Sequence, residues 1–61
     1  MRVVVADDTL VTREGIVRLL RDAGVEVVAQ AGDGGELLRH VAVHRPDVAI
    51  VDISDATLAH G

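Results

Sequence analysis

The chain has 61 residues, ten of them acidic and six basic, for a net charge of −4, and it contains no cysteine and no aromatic residue. A chain of this length forms one domain at most, and its acidic balance argues against nucleic acid as a direct partner, because phosphate backbones require a basic face. No apolar run reaches the length that spans a membrane, and the first residues lack the pattern of a secretory signal, so we expect a cytoplasmic protein.

The first half of the chain predicts a strand, a helix and a second strand. Residues 2–6 are β-branched and almost continuously apolar, as in a strand that is buried on both faces of a parallel sheet. Residues 9–23 predict a helix, which Gly24 is suited to end. Its expected inner stripe consists of Thr12, Ile16, Leu19, Leu20 and Ala23. Residues 25–31 predict the second strand.

The second half predicts a shorter helix and a third strand. A glycine-rich turn at residues 32–35 precedes a helix over residues 36–45, and Pro46 ends that helix because it disfavours helical backbone at the residue before it. The expected inner residues of this helix are Leu37, Leu38 and Val41. Residues 47–53 predict the third strand. Helices between strands imply right-handed parallel crossovers, so the sequence predicts an α/β fold with a three-stranded parallel sheet.

Three aspartates stand at the carboxyl ends of two predicted strands. Asp7 and Asp8 follow the first strand, and Asp52 follows the apolar run of the third. If the first strand is central, these ends meet at one crevice, where three carboxylates repel one another and favour a bound cation such as Mg²⁺. The alternative for Asp7 and Asp8 is that they only cap the first helix through its free N–H groups.

Four stretches of the sequence have the order and spacing of the motifs of a known family. They are VVVADD (3–8), REGI (13–16), VVAQAGDG (27–34) and RPDVAIVD (45–52). The chain resembles the bacterial two-component response-regulator receiver domain, in particular the type that is attached to helix-turn-helix output domains. The resemblance covers residues 1–53 and implies the N-terminal half of a receiver: a partial flavodoxin-like βαβαβ unit with strand order 2-1-3, truncated before the fourth strand. It leaves residues 54–61 as a divergent tail or a segment of foreign origin.

The resemblance implies a role for each strand-end residue in a phosphoacceptor module that is not an enzyme. Asp8 would bind Mg²⁺ directly, and Asp7 would hold the ion mainly through water. Asp52 would be a further ligand and the residue that accepts a phosphoryl group from a histidine kinase. The backbone carbonyl of Ser54 would complete the ligand set.

The same resemblance leaves part of the family's site without a counterpart. Complete receivers use a Ser or Thr after a fourth strand and a Lys after a fifth, whereas this chain contains no lysine. We therefore expect a truncated module that does not switch and whose bare third strand associates with other copies. Two alternatives stay open: a fragment of a haloacid-dehalogenase-like phosphotransfer enzyme with Asp52 as nucleophile, and a non-catalytic fragment that only self-associates.

Overall fold

The computed structural model describes residues 1–53, which form a strand, a helix, a strand, a helix and a strand in chain order. The strands are β1 (Arg2–Asp7), β2 (Glu26–Ala31) and β3 (Val48–Asp52), and the helices are α1 (Leu10–Asp22) and α2 (Gly34–His44). The five predicted elements are therefore all confirmed, with small differences at their ends. Neither helix is long and apolar enough to cross a membrane.

The strands form one parallel sheet with β1 in the centre, in the order β2-β1-β3. This order confirms the partial flavodoxin-like arrangement that the resemblance implied. Because β1 has a neighbour on each side and helices over its faces, five of its six residues are buried. The register of β1 and β3 runs without a break from the pair Val3 and Val48 to the pair Asp7 and Asp52.

Helix α1 packs against the sheet through a stripe that differs in part from the expected one. Val17 is its buried residue, and Ile16 and Leu20 pack beside it on the cluster that Val17 forms with two valines of β1. Leu19, which was expected on the inner side, is 71% exposed. Successive helical residues are rotated by about 100°, so Leu19 stands about 200° around the helix from Val17. Thr12 and Ala23 are also exposed, so the prediction was right only for Ile16 and Leu20.

Helix α2 covers β2 and β1 but makes little contact with β3. As a result, Leu37 is only half-buried, and Leu38, expected on the inner side, is 72% exposed. These two leucines border an open apolar groove of about 430 Å³, which Val51 and Ile53 line on the side of β3. The prediction placed more residues of α2 on its inner side than the structure does. The reason is that no helix within residues 1–53 lies over this face of β3.

Local interactions define the helix ends. Asp33 caps α2, because its Oδ1 accepts the backbone N–H of Glu36 at 2.8 Å, and α2 consequently begins two residues before the predicted start. Gly24 has φ +83° directly after α1, which confirms its expected role. Arg45 adopts a left-handed conformation with φ 47° before Pro46, and α2 ends there as predicted.

Candidate functional site at the carboxyl end of the sheet

Two of the three strand-end aspartates are neighbours across the sheet. Asp7 and Asp52 are the last register pair of β1 and β3. Residues paired in a parallel sheet lie on the same face, and side chains alternate between faces along each strand. Asp7 and Asp52 therefore share the face of Val5 and Ile50, which is the face that α1 covers.

The Asp7 side chain is buried but only partly hydrogen-bonded. It is 1% exposed, and its Oδ1 accepts the backbone N–H of Thr9 at 2.9 Å. Its Oδ2 is also buried and has no hydrogen-bond partner among the described residues. A buried carboxylate oxygen without a partner is costly, and such an oxygen in a folded protein calls for a water molecule or a bound ion.

Asp8 lies at the surface and does not cap the helix. Its contact within the described part of the chain is a long hydrogen bond of 3.4 Å that its Oδ1 accepts from the Thr9 hydroxyl. Thr9 itself is the N-cap of α1 and makes no side-chain cap hydrogen bond. Asp7 accepts the N–H of Thr9, which precedes α1, and not an N–H of a residue within the helix. Helix capping therefore does not fully explain either Asp7 or Asp8.

The expected ligand set is only partly assembled. Within residues 1–53 no three acidic or histidine side chains lie close enough together to hold a metal ion. The structure brings Asp7 and Asp52 together by register, while Asp8 is exposed beside them. Ser54 lies outside the described residues. Metal binding by this set therefore stays a prediction.

Arg13 lies next to the site but was not among the predicted site residues. Its Nη1 donates to the backbone carbonyl of Asp7 at 2.9 Å and to that of Ala31 at 3.3 Å. The sequence alone did not single it out, because Arg13, four residues before Val17, falls on the inner stripe of α1 only once Val17 is known to face β1. An arginine on an apolar helix face needs buried acceptors, and here two strand ends provide them.

Sequence comparisons place these features in a family. The chain matches the sequence model of the response regulator receiver domain over residues 3–54. The oxygen regulatory protein NreC of Staphylococcus haemolyticus is 47% identical over 55 residues, which are 88% of this chain and 25% of that protein. The probable transcriptional regulatory protein NarL of Mycobacterium tuberculosis is 49% identical over 53 residues, 85% of this chain and 24% of that protein.

A relative with a different name matches equally well. The protein-glutamate methylesterase/protein-glutamine glutaminase of Haloarcula marismortui is 49% identical over 53 residues, 87% of this chain and 14% of that protein. The chain thus spans a quarter or less of the length of these relatives. The shared segment is the one that carries the 2-1-3 sheet and the strand-end aspartates. The chain belongs to the response regulator receiver domain family.

Proposed function

We propose that this chain is a phosphoacceptor module of two-component signalling, in which Asp52 accepts a phosphoryl group in the presence of Mg²⁺. The observation that carries the proposal is the pairing of Asp7 and Asp52 at one sheet end, with one buried oxygen of Asp7 left without a partner. Receiver domains generally depend on Mg²⁺ and interact with histidine kinases, so a histidine kinase is the proposed donor. A cytoplasmic location belongs to the same proposal.

The residues present fit a magnesium ion. Mg²⁺ prefers oxygen ligands and usually combines one or two carboxylates with water and phosphate oxygens. In the proposed arrangement Asp8 would bind the ion directly, Asp7 would hold it mainly through water, and Asp52 and the Ser54 carbonyl would add further oxygens. The buried Oδ2 of Asp7 is the observed atom that has capacity for such a contact. The bound ion would offset negative charge on the transferring phosphoryl oxygens.

Exposure favours Asp52 over Asp7 as the acceptor. Asp7 is 1% exposed, so a donor cannot reach it, whereas Asp52 is exposed. An oxygen of the Asp52 carboxylate forms a bond to phosphorus while the bond from phosphorus to the histidine nitrogen of the donor breaks. That nitrogen keeps the electron pair, and the product on this chain is an acyl phosphate.

The test is phosphorylation by a small acyl phosphate donor with Mg²⁺, followed by intact-mass measurement and peptide mapping. We expect one phosphoryl group on Asp52, none in Asp52→Asn, and none when Mg²⁺ is chelated. Asp47→Asn is the matched control, because Asp47 bonds Arg2 at the opposite end of β3, and it should be phosphorylated normally. Absence of the modification in the wild-type chain contradicts the proposal. Turnover of a phosphomonoester would support the enzyme alternative instead.

We also propose that the 61 residues alone accept phosphate without switching. Nothing in the sequence can supply the lysine that family receivers use to neutralise the phosphoryl group. Amide spectra with and without beryllofluoride and Mg²⁺ test this. Shifts confined to the strand ends around Asp7 and Asp52 support it, and shifts that extend through α2 and to the amino end of β3 contradict it.

The free edge of β3 supports self-association as a second property. Within residues 1–53, β3 pairs with β1 alone, and its Val48 and Val51 are 42% and 51% exposed. An apolar strand edge with unpaired backbone groups tends to pair with another chain. The groove beside Val51 adds further apolar surface to that edge.

Light scattering across a concentration series tests this property. We expect the mean mass of the 61-residue chain to rise with concentration, and Val51→Lys to suppress the rise by placing a charge beside the edge. Val43→Lys is the control, since Val43 is 75% exposed on α2 and its replacement adds the same charge elsewhere. A constant monomer mass for the wild-type chain contradicts self-association.

A further inference from the structure

Arg13 is the charged residue next to the acidic site that the proposed function does not use. It lies on the half-buried face of α1, and its Nε is buried without a hydrogen-bond partner among the described residues. Arginine is seldom placed on an inner helix face unless its donors meet specific acceptors. The position of its acceptors therefore indicates what this side chain does.

Those acceptors are main-chain carbonyls at two strand ends. Nη1 of Arg13 bonds the carbonyl of Asp7, the last residue of β1, at 2.9 Å, and the carbonyl of Ala31, the last residue of β2, at 3.3 Å. One guanidinium nitrogen thus joins the carboxyl ends of both strands. The two N–H groups of Nη1 have fixed directions in the guanidinium plane, whereas a lysine side chain ends one atom earlier and its ammonium group rotates freely.

The arginine holds the backbone of Asp7 and leaves the carboxylate alone. Among the described residues no ion pair forms between Arg13 and Asp7, although each has a buried atom without a partner. The Asp7 carboxylate is oriented instead by Thr9, whose N–H donates to Oδ1. Oδ2 consequently stays unpaired at the end of the sheet where the metal ion is proposed.

The turn after β2 provides the space for this contact. A Cβ atom at Gly32 would lie 3.1 Å from Nη1 of Arg13, which is closer than such contacts normally are. Gly32 does not have a positive φ, so its backbone does not itself require glycine. The absence of a side chain at Gly32 thus leaves the guanidinium room to reach both carbonyls.

We propose that Arg13 is a positioning residue of the acidic site: it joins the ends of β1 and β2 and so holds Asp7 with Oδ2 free for Mg²⁺. The inference rests on the proposed function, because it assigns Asp7 to a metal site. Arg13 itself touches neither the ion nor the phosphoryl group. Its effect passes through the backbone of Asp7, as that of residues which orient metal ligands commonly does.

The test is the Mg²⁺ affinity of the full 61-residue chain carrying Arg13→Lys, which keeps the charge but shortens the side chain by one atom and loses the fixed N–H directions of Nη1. We expect the affinity to fall about 10-fold, as is common when a residue that orients a ligand is replaced. Arg18→Lys is the matched control, because Arg18 is an exposed arginine on the same helix, and its affinity should change by less than about twofold. Equal affinities for the two variants overturn the inference.

A readout without metal separates positioning from a loss of stability. The Thr9 amide donates to Asp7 Oδ1, so its resonance and hydrogen-exchange rate report the orientation of the carboxylate in the folded chain. We expect both to change in Arg13→Lys and to stay unchanged in Arg18→Lys. An unchanged Thr9 amide in Arg13→Lys contradicts the inference even where the variant is less stable.

A second variant keeps the test decisive if Arg13→Lys does not fold. Gly32→Ala retains the arginine but adds a Cβ 3.1 Å from its Nη1, so the guanidinium must shift by a few tenths of an ångström and Mg²⁺ binding should weaken in the same direction. Gly15→Ala is its control, since a Cβ there meets nothing within 4 Å. Unaltered binding in Gly32→Ala overturns the inference. If the wild-type chain binds no Mg²⁺, both the proposed function and this inference fail. If the wild-type chain binds Mg²⁺ and the variants bind it equally well, only the inference fails.

Discussion

The two ends of the parallel sheet use their polar groups in opposite ways. At the amino end, the backbone N–H of Arg2 donates to Asp47 Oδ2 and the backbone N–H of Asp47 donates to the Arg2 carbonyl, both at 2.8 Å. The N–H of Glu26 donates to the Met1 carbonyl at 3.1 Å. These bonds join the starts of all three strands. The Asp47 carboxylate is thus used in a hydrogen bond that holds the sheet together.

At the carboxyl end the carboxylates are not occupied in this way. Asp7 is buried with one unpaired oxygen, Asp8 and Asp52 are exposed, and Arg13 is engaged with main-chain carbonyls. An aspartate at the amino end therefore stabilises the sheet, while those at the carboxyl end retain the capacity to bind a ligand. This division agrees with the general position of ligand sites in open parallel sheets.

The largest expected effect comes from replacing the buried carboxylate at the carboxyl end. Asp7→Asn should weaken Mg²⁺ binding by about 10- to 100-fold, because it removes a negative charge that is proposed to hold the ion, mainly through water. Without Mg²⁺ it should raise the free energy of unfolding by about 1 kcal/mol, since a neutral amide is less costly to bury than an unpaired charge. Isothermal titration and urea denaturation measure the two effects.

Asp47→Asn is the control for this pair of measurements. It removes the same charge at the amino end and should leave Mg²⁺ affinity nearly unchanged. A loss of stability in Asp7→Asn would mean that its carboxylate serves the fold, and the contrast between the two ends would be wrong.

A smaller effect is expected from breaking the junction at the amino end. Asp47→Ala removes the acceptor of the Arg2 N–H, so the free energy of unfolding should fall by about 1–2 kcal/mol in urea denaturation. Mg²⁺ affinity should stay within the error of the wild-type value. Parallel losses of stability and affinity would show that the two ends are coupled.

Asp33 provides a further comparison, because it lies on the carboxyl side of the sheet but its carboxylate already accepts a hydrogen bond. Asp33 caps α2 through the N–H of Glu36, so Asp33→Ala should lower the free energy of unfolding by about 1 kcal/mol without weakening Mg²⁺ binding. Asp33→Asn is the control, since asparagine caps helices equally well. Weaker Mg²⁺ binding in Asp33→Asn would place this residue in the site.

The smallest effect concerns a position remote from both ends. Gly15 lies inside α1 with open space around its Cβ position. Gly15→Ala should raise the free energy of unfolding by about 0.5–1 kcal/mol, because alanine loses less backbone entropy in a helix. Thermal unfolding should show a higher midpoint with the Mg²⁺ affinity unchanged. A lower midpoint would mean that α1 packs more tightly at Gly15 than the structure indicates.

The sheet and its central strand could be predicted because the sequence signals there are local. A short continuous apolar run rich in valine, such as residues 3–6, is typical of a strand covered on both faces, and alternation with helices makes the sheet parallel. The approach of Asp7 and Asp52 requires in addition that β1 is the central strand, which only the family resemblance implied. The capping of α2 was also available in the sequence, because Asp33 and Glu36 have the spacing of a capping pair.

The rotation of α1 and the contacts of Arg13 could not be predicted in the same way. Apolar residues surround much of α1, and only packing on β1 decides that Val17 faces inward while Leu19 does not. The contacts of Arg13 depend on how near the ends of β1 and β2 lie to each other. A non-local distance of that kind is not encoded in any short pattern.

A Mg²⁺ titration followed by the side-chain carboxyl carbon resonances of the aspartates tests the central claim most directly. The resonances of Asp7, Asp8 and Asp52 should shift together and saturate in the millimolar range, while those of Asp47 and Asp33 stay in place. Saturable binding would then belong to the carboxyl end alone. Absence of any saturable shift, or equal shifts at Asp47 and Asp52, would contradict the account.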